Sequence, residues 1–328
     1  MNVSALRALR RRLLTPKISD TLMETRGFRV KNEAGKELLE TVGRMFIEGY
    51  AAAVEARHPR DAEEALERLP TRFKGFAYEG AGMGLAILDG MPFGHSRHVE
   101  QFLEGRGGDH VYMIYVGIGW AMARLPRFRW PADSTTDPLL RWLVLDGYGF
   151  HQAYFHTDKY VHGQYVDRDF PWPASGPRDY TNRALDQGIG RAMWFVGGTD
   201  PEYVADLIDG FAEHRREDLY SGAGLAATYA GGVTEDELLM FRERSGQHAG
   251  MVAQASAFAA EARAKAGTMV PHTGLATQVF CGMEPEKAAR VTQDVRPAPP
   301  IVDGAEPAFE TWRRRIAAQF VHQEGVGS

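Results

Sequence analysis

The chain has 328 residues, 44% of them hydrophobic and 25% charged, so it is long and apolar enough to bury a sizeable core. Its net charge of -5 excludes a dedicated nucleic-acid binder, which carries a basic excess, and its one cysteine, Cys281, excludes a disulfide framework and a cysteine-rich zinc site. There is no run of eighteen apolar residues and no secretory leader pattern, which predicts a soluble, cytoplasmic protein.

Residues 1–16 read as a basic amphipathic helix, with Leu6, Leu9 and Leu13 at helical spacing among Arg7, Arg10, Arg11 and Arg12. Such a segment is either a packing arm or a surface that touches acidic lipid or a partner. Residues 17–295 read as one α-helical repeat domain, with amphipathic stretches at 37–56, 201–214 and 234–244. Val111 to Gly119 is the one strand-like run, and its neighbours resume helical spacing. Residues 296–328 open with Arg296-Pro297-Ala298-Pro299-Pro300, which no helix interior accommodates, and continue into a short helix near 307–322. That last helix is expected to dock back or to fray.

Between the termini a glycine pair recurs. Gly80-Ala81-Gly82-Met83-Gly84 is echoed by Gly117-Ile118-Gly119, Gly147-Tyr148-Gly149, Gly188-Ile189-Gly190 and Gly222-Ala223-Gly224, with a degenerate copy at Gly274. Counted from Gly84, Gly119, Gly149, Gly190 and Gly224, the steps are 35, 30, 41 and 34 residues, the period range of stacked helical hairpins. Polar residues precede several copies (Glu79, Asp146, Ser221, with Asp186 one place earlier), the pattern of capped helix starts. The prediction is an all-α protein of repeated hairpins with glycine-led inner helices. The hairpins close into an α/α toroid with a central cavity, or alternatively form an open superhelix.

Five glycine pairs suit packing better than five dinucleotide sites, and the run before Gly222 is no buried strand. The runs Asp133-Ser134-Thr135-Thr136-Asp137 and Asp167-Arg168-Asp169 do not place three carboxylates on one helical face, so a diphosphate-ionising magnesium cluster is not expected. His156, Asp158 and His162 define a low-specificity metal alternative. Cys281 lacks the glycine-containing run of a haem thiolate and reads as a buried thiol.

Several longer segments carry a resemblance: 72–80 (RFKGFAYEG), 117–126 around Trp120, 137–151 (DPLLRWLVLDGYGFH), 186–196 around Arg191 and Trp194, and 220–226. They resemble a bacterial family of unknown-function proteins encoded beside enediyne polyketide synthases, over about residues 5 to 295. Tyr115 stands where the resemblance leads one to expect a histidine. The resemblance implies polyketide-derived natural-product assembly and carries no settled reaction.

The residues and this context together predict a protein that binds a linear polyene in an aromatic helical cavity and promotes its cyclisation or isomerisation. No nucleotide, metal or haem is required. Asp146, Asp186 and Glu79 are the candidate proton donors and acceptors, with His151 and His156 as relays. Arg191 is the candidate anion or carbonyl binder, and Trp120, Tyr148 and Trp194 the cavity walls. The alternatives are a non-catalytic polyene scaffold or chaperone, and an iron- or haem-dependent oxidative enzyme.

Overall fold

A computed structural model describes residues 3–92, 97–132, 136–173 and 176–321. Among them are sixteen α-helices and no strand. The first five are α1 (Val3–Leu14), α2 (Met23–Arg26), α3 (Glu33–Glu55), α4 (Pro59–Glu67) and α5 (Lys74–Asp89). Next come α6 (His98–Leu103), α7 (Val111–Met122), α8 (Trp142–Phe155), α9 (Thr181–Val196), α10 (Pro201–Asp209) and α11 (Glu213–Tyr229). The remainder are α12 (Glu235–Ser245), α13 (Ala249–Lys265), α14 (Pro271–Cys281), α15 (Pro285–Asp294) and α16 (Ala308–Val321). The strand-like run at 111–119 is thus helical: every one of its side chains from Met113 onward is buried, so its apolar continuity reflects burial on all sides rather than a pleat.

Seven helices stand side by side in the order α3, α5, α7, α8, α9, α11, α13, each packed on the next. Contacts advance together along neighbouring helices. Arg183 and Gln187 meet Asp218 while Trp194 meets Gly231, so α9 and α11 run in the same sense. The glycine pairs explain the row. Residues i and i+2 of an α-helix lie about 200° apart around its axis, so the two glycines of a pair face opposite flanks. The first faces the preceding helix: a Cβ at Gly117, Gly147, Gly188 or Gly222 would sit 2.2, 2.0, 1.9 or 1.9 Å from the carbonyl oxygens of Glu79, Val116, Asp146 and Gln187. The second faces the following one: a Cβ at Gly119, Gly149 or Gly190 would sit 2.0, 2.2 or 2.1 Å from those of Val144, Leu185 and Leu219. Backbones therefore approach to a distance that only a residue without Cβ permits.

This corrects the expected helix starts. Glu79, Asp146, Asp186 and Ser221 are interior residues of α5, α8, α9 and α11, and none caps a helix. The glycines mark the waist of each helix, not its first turn. Gly274 is no sixth copy, because a Cβ there meets nothing nearer than the Pro285 ring at 3.8 Å. The hairpins are also irregular. Helices α10, α12 and α14 pack on one another as a second layer, whereas among the described residues only 3-10 and π-helical turns separate α7, α8 and α9.

The row is curled, so inner-face residues of non-neighbouring helices touch. Phe76 of α5 meets Tyr229 of α11 edge to face at 5.2 Å, and Tyr112 of α7 donates to Glu261 of α13. The N–H of Arg29, ahead of α3, donates to Val196 O at the end of α9. At the chain ends, α1 packs on α3 and α16 packs on α13. The terminal helix docks firmly: Trp312 donates to Thr292 O, and buried Arg313 joins Asp218, Glu310, Tyr180 and Ser221. No helix among the described residues is long and apolar enough to cross a membrane.

Candidate functional site

With one glycine facing each flank, the residues at i−1 and i+3 from the first glycine share the remaining inner face. That rule gathers Glu79 and Met83, Val116 and Trp120, Asp146 and Phe150, Gln187 and Arg191, and Ser221 and Leu225 from five helices. Most of them line two adjoining cavities. The larger, a cavity of about 70 Å³, is bounded by Phe46, Phe76, Glu79, Met83, Trp120, Phe150, Tyr154, Arg191, Phe195 and Tyr229. The other, of about 50 Å³, lies between Leu143, Asp146, Arg191, Phe258 of α13 and Phe309 and Trp312 of α16. Met113, Arg191, Leu225 and Tyr229 belong to both, so they form the partition.

The partition brings a cation, Arg191, between Glu79 of one cavity and Asp146 of the other. The Arg191 guanidinium lies 2.6 Å from Asp146 Oδ1, 3.8 Å from Glu79 Oε1 and 4.6 Å over the Phe150 ring. Its close approach to Asp146 is poorly directed: Arg191 Nη2 and Asp146 Oδ1 are buried without a hydrogen bond, as is Arg191 Nε. The Tyr229 hydroxyl and the Trp120 indole N–H are buried without a partner as well. The Trp120 N–H still lies close enough to favour a Glu79 anion, although it makes no directed bond. Unpaired buried donors each cost about 1–3 kcal/mol, so these groups are available to water or to a ligand.

Burial pushes the Glu79 carboxyl up to about 7, against the opposing pull of Arg191 and with the help of nearby Asp146. Burial raises Asp146 too, with Arg191 opposing. A carboxyl that titrates near neutrality beside a fixed cation can both take and return a proton.

The remaining predicted residues lie elsewhere. Asp186, two places before its glycine, turns away from the cavities. It takes both bonds of the Arg215 fork at 2.9 and 2.6 Å; burial lifts it to about 6, and the fork keeps it charged at neutral pH. Tyr148 packs against Trp130 and Phe170. Trp194 donates to Gly231 O at 3.0 Å and meets Phe241 of the second layer. His151 is wedged against Trp120 and Phe155, and burial lowers it to about 3, which holds the ring neutral. His156 is exposed at the end of α8. None of these five lines either cavity.

His156, Asp158 and His162 do not converge. Among the described residues no three His, Cys, Asp or Glu side chains gather where they could hold one ion. Cys281 is buried, donates to Ala253 O and has its thiol pushed up to about 12, which makes it a poor thiolate ligand. Tyr115 accepts a bond from the Asp137 N–H at 2.7 Å, a role in fixing the turn before α8. The acidic run beginning at Asp133 falls partly outside the described residues, at 133–135.

Sequence reasoning missed the apolar walls Phe46, Phe76 and Met83 and did not set Tyr229 apart as a polar group. The glycine register points to two of these, because Met83 stands three places after Gly80 and Tyr229 seven after Gly222.

These features define an all-helical protein with two adjoining internal cavities that meet at an acid–arginine cluster. The chain matches the family described as protein of unknown function (DUF1702) over residues 5–320 and belongs to it. No curated protein and no solved structure matches the chain.

Proposed function

We propose that the protein binds a long, apolar, conjugated small molecule in the paired cavities and shifts a proton along it, isomerising or cyclising the chain. The observation that carries this reading is the Glu79–Arg191–Asp146 cluster, buried between two aromatic chambers, beside an Arg191 Nε and a Tyr229 hydroxyl that have no partner in the protein. A carbonyl or carboxylate of the ligand would accept from Arg191 and from the Tyr229 hydroxyl. The ionised Glu79 then removes a proton from a saturated carbon that adjoins the conjugated system, α or vinylogous to that carbonyl. The electron pair moves onto the carbonyl oxygen, where Arg191 holds the extended enolate, and the protonated Glu79 returns the proton at another carbon. No electron is gained or lost overall, so the step needs no oxidant. Asp146 keeps Arg191 in place and acts through it.

The resemblance to proteins of enediyne gene neighbourhoods supports a linear polyene made by a polyketide synthase as the natural ligand. Cyclisation would follow where the bound chain is folded back: the enolate carbon forms a bond to an electrophilic carbon of the same conjugated chain, and the protonated Glu79 returns its proton to the enolate so formed.

The test is isotopic. A polyenone with a saturated carbon adjoining its conjugated system, incubated with the protein in deuterated water, should gain deuterium at that carbon. Replacement Glu79→Gln should reduce that gain by about a hundredfold or more, the usual contribution of a general acid–base group. Saturable binding with no exchange by the wild type would turn the protein into a carrier and defeat the catalytic reading.

A further inference from the structure

The geometry points to α1 and the turn after it as a docking surface for an anionic lipid bilayer, placed at the mouth of the larger cavity. An ordinary amphipathic helix buries its leucines and exposes its arginines; in α1 two leucines are exposed while two arginines are half-buried. Its inward stripe is Arg7, Arg10 and Leu14, all half-buried. Arg10 donates through Nε to Val54 O and through Nη2 to Ala56 O, so a cation satisfies the carbonyl end of α3. That anchoring fixes the rotation of α1 and turns Leu9 and Leu13 outward, 43% and 72% exposed. Ile18, four residues past the end of α1, is 53% exposed as well. Three of the nine exposed large apolar side chains among the described residues fall in this ten-residue stretch, a concentration of exposed apolar groups in one segment. The side chain of Leu6, also expected on the apolar stripe, lies outside the described residues.

Charge selects the occupant. Residues 1–18 carry Arg7, Arg10, Arg11, Arg12 and Lys17 and no acid, in a chain whose net charge is -5. Arg11 is neutralised by Glu55 at 2.7 Å, while Arg12 and Lys17 are exposed beside the leucine ridge. Apolar side chains flanked by cations are the chemistry of a helix lying in the interface of an acidic membrane. The ridge also leads straight to the cavity: half-buried Pro16, Asp20 and Thr21 line its outer end. A molecule too apolar to cross water would pass from bilayer to cavity past the turn that follows Leu13. This docking does not depend on the proton chemistry proposed above.

The experiment is co-sedimentation of the full chain with vesicles of phosphatidylcholine, with and without phosphatidylglycerol. The protein should pellet with the phosphatidylglycerol vesicles, and added salt should release it. The double substitution Leu9→Asp/Leu13→Asp should abolish pelleting with unchanged helical circular dichroism. Substitutions Arg12→Ser and Lys17→Ser should each weaken it about fivefold. Failure to pellet with acidic vesicles, or pelleting of the double variant like the wild type, overturns the inference. Dimerisation that the double variant abolishes, without vesicle binding, also overturns it by assigning the ridge to a second copy.

Discussion

Replacing Gly188 by alanine should destabilise the protein by about 3 kcal/mol or more, a large part of the 5–15 kcal/mol typical of a folded chain. The added methyl would lie 1.9 Å from Asp146 O and 2.7 Å from Phe150 N, both backbone atoms of α8 that no side-chain rotation can move away. Relief requires α8 and α9 to separate, and Asp146 and Arg191 travel with them. Ligand binding should therefore fail in parallel with stability. The matched control is Gly274→Ala. It also sits inside a helix, but its Cβ meets only the Pro285 ring at 3.8 Å, so the gain in helix propensity of about 0.5–1 kcal/mol should stand. Thermal unfolding of the two variants separates glycines that are contact points from a glycine that is merely tolerated. Equal effects at both sites would contradict the packing account.

The second large effect concerns the pH dependence of stability and Glu79. Burial raises this carboxyl from 4.5 to about 7 in the folded protein, so the folded state prefers it protonated. Its favourable contribution is complete below about pH 4.5, the unfolded value, and is lost as pH rises through the folded value near 7. A shift of that size corresponds to about 3 kcal/mol across the window. Glutamine keeps the shape and cannot ionise. Glu79→Gln should match the wild type near pH 4 and exceed it by roughly 5 °C in Tm at pH 8. The price of losing the acid falls on activity, as a site whose function requires strain predicts. A variant less stable than the wild type at pH 8 would mean that the attraction of Arg191 outweighs the burial of Glu79.

The helical class and the periodic glycines were legible in the residues, and of the side chains singled out Glu79, Asp146, Arg191 and Trp120 lie at the cavities. The position of the glycines within each helix was not, because a short acid before a glycine looks the same at a capped helix start and at a waist. The signal that separates them is the i, i+2 spacing together with the residues upstream: Lys74 to Tyr78 already form a helix before Glu79 is reached. Once the pair is placed at a waist with one glycine on each flank, the inner face follows. Asp186 and Tyr148 then fall off it by their phase, since they stand two places before and one place after a first glycine. The partner of Asp186, Arg215, stands 29 residues away and is a tertiary contact that no local pattern encodes. The same holds for the contribution of Phe309 and Trp312, which reach the second cavity only because α16 folds back past a proline-rich linker.

The most direct measurement is a fluorescence titration of the purified protein with all-trans-parinaric acid, a conjugated tetraene bearing one carboxylate. Its emission rises when it leaves water for an apolar site, and its headgroup matches the unsatisfied donors of Arg191. The account predicts saturable binding by the wild type and affinity lower by roughly tenfold to a hundredfold in Arg191→Met, the loss of one charged hydrogen-bond donor. No saturable binding, or the same affinity in the variant, would contradict a ligand site centred on Arg191.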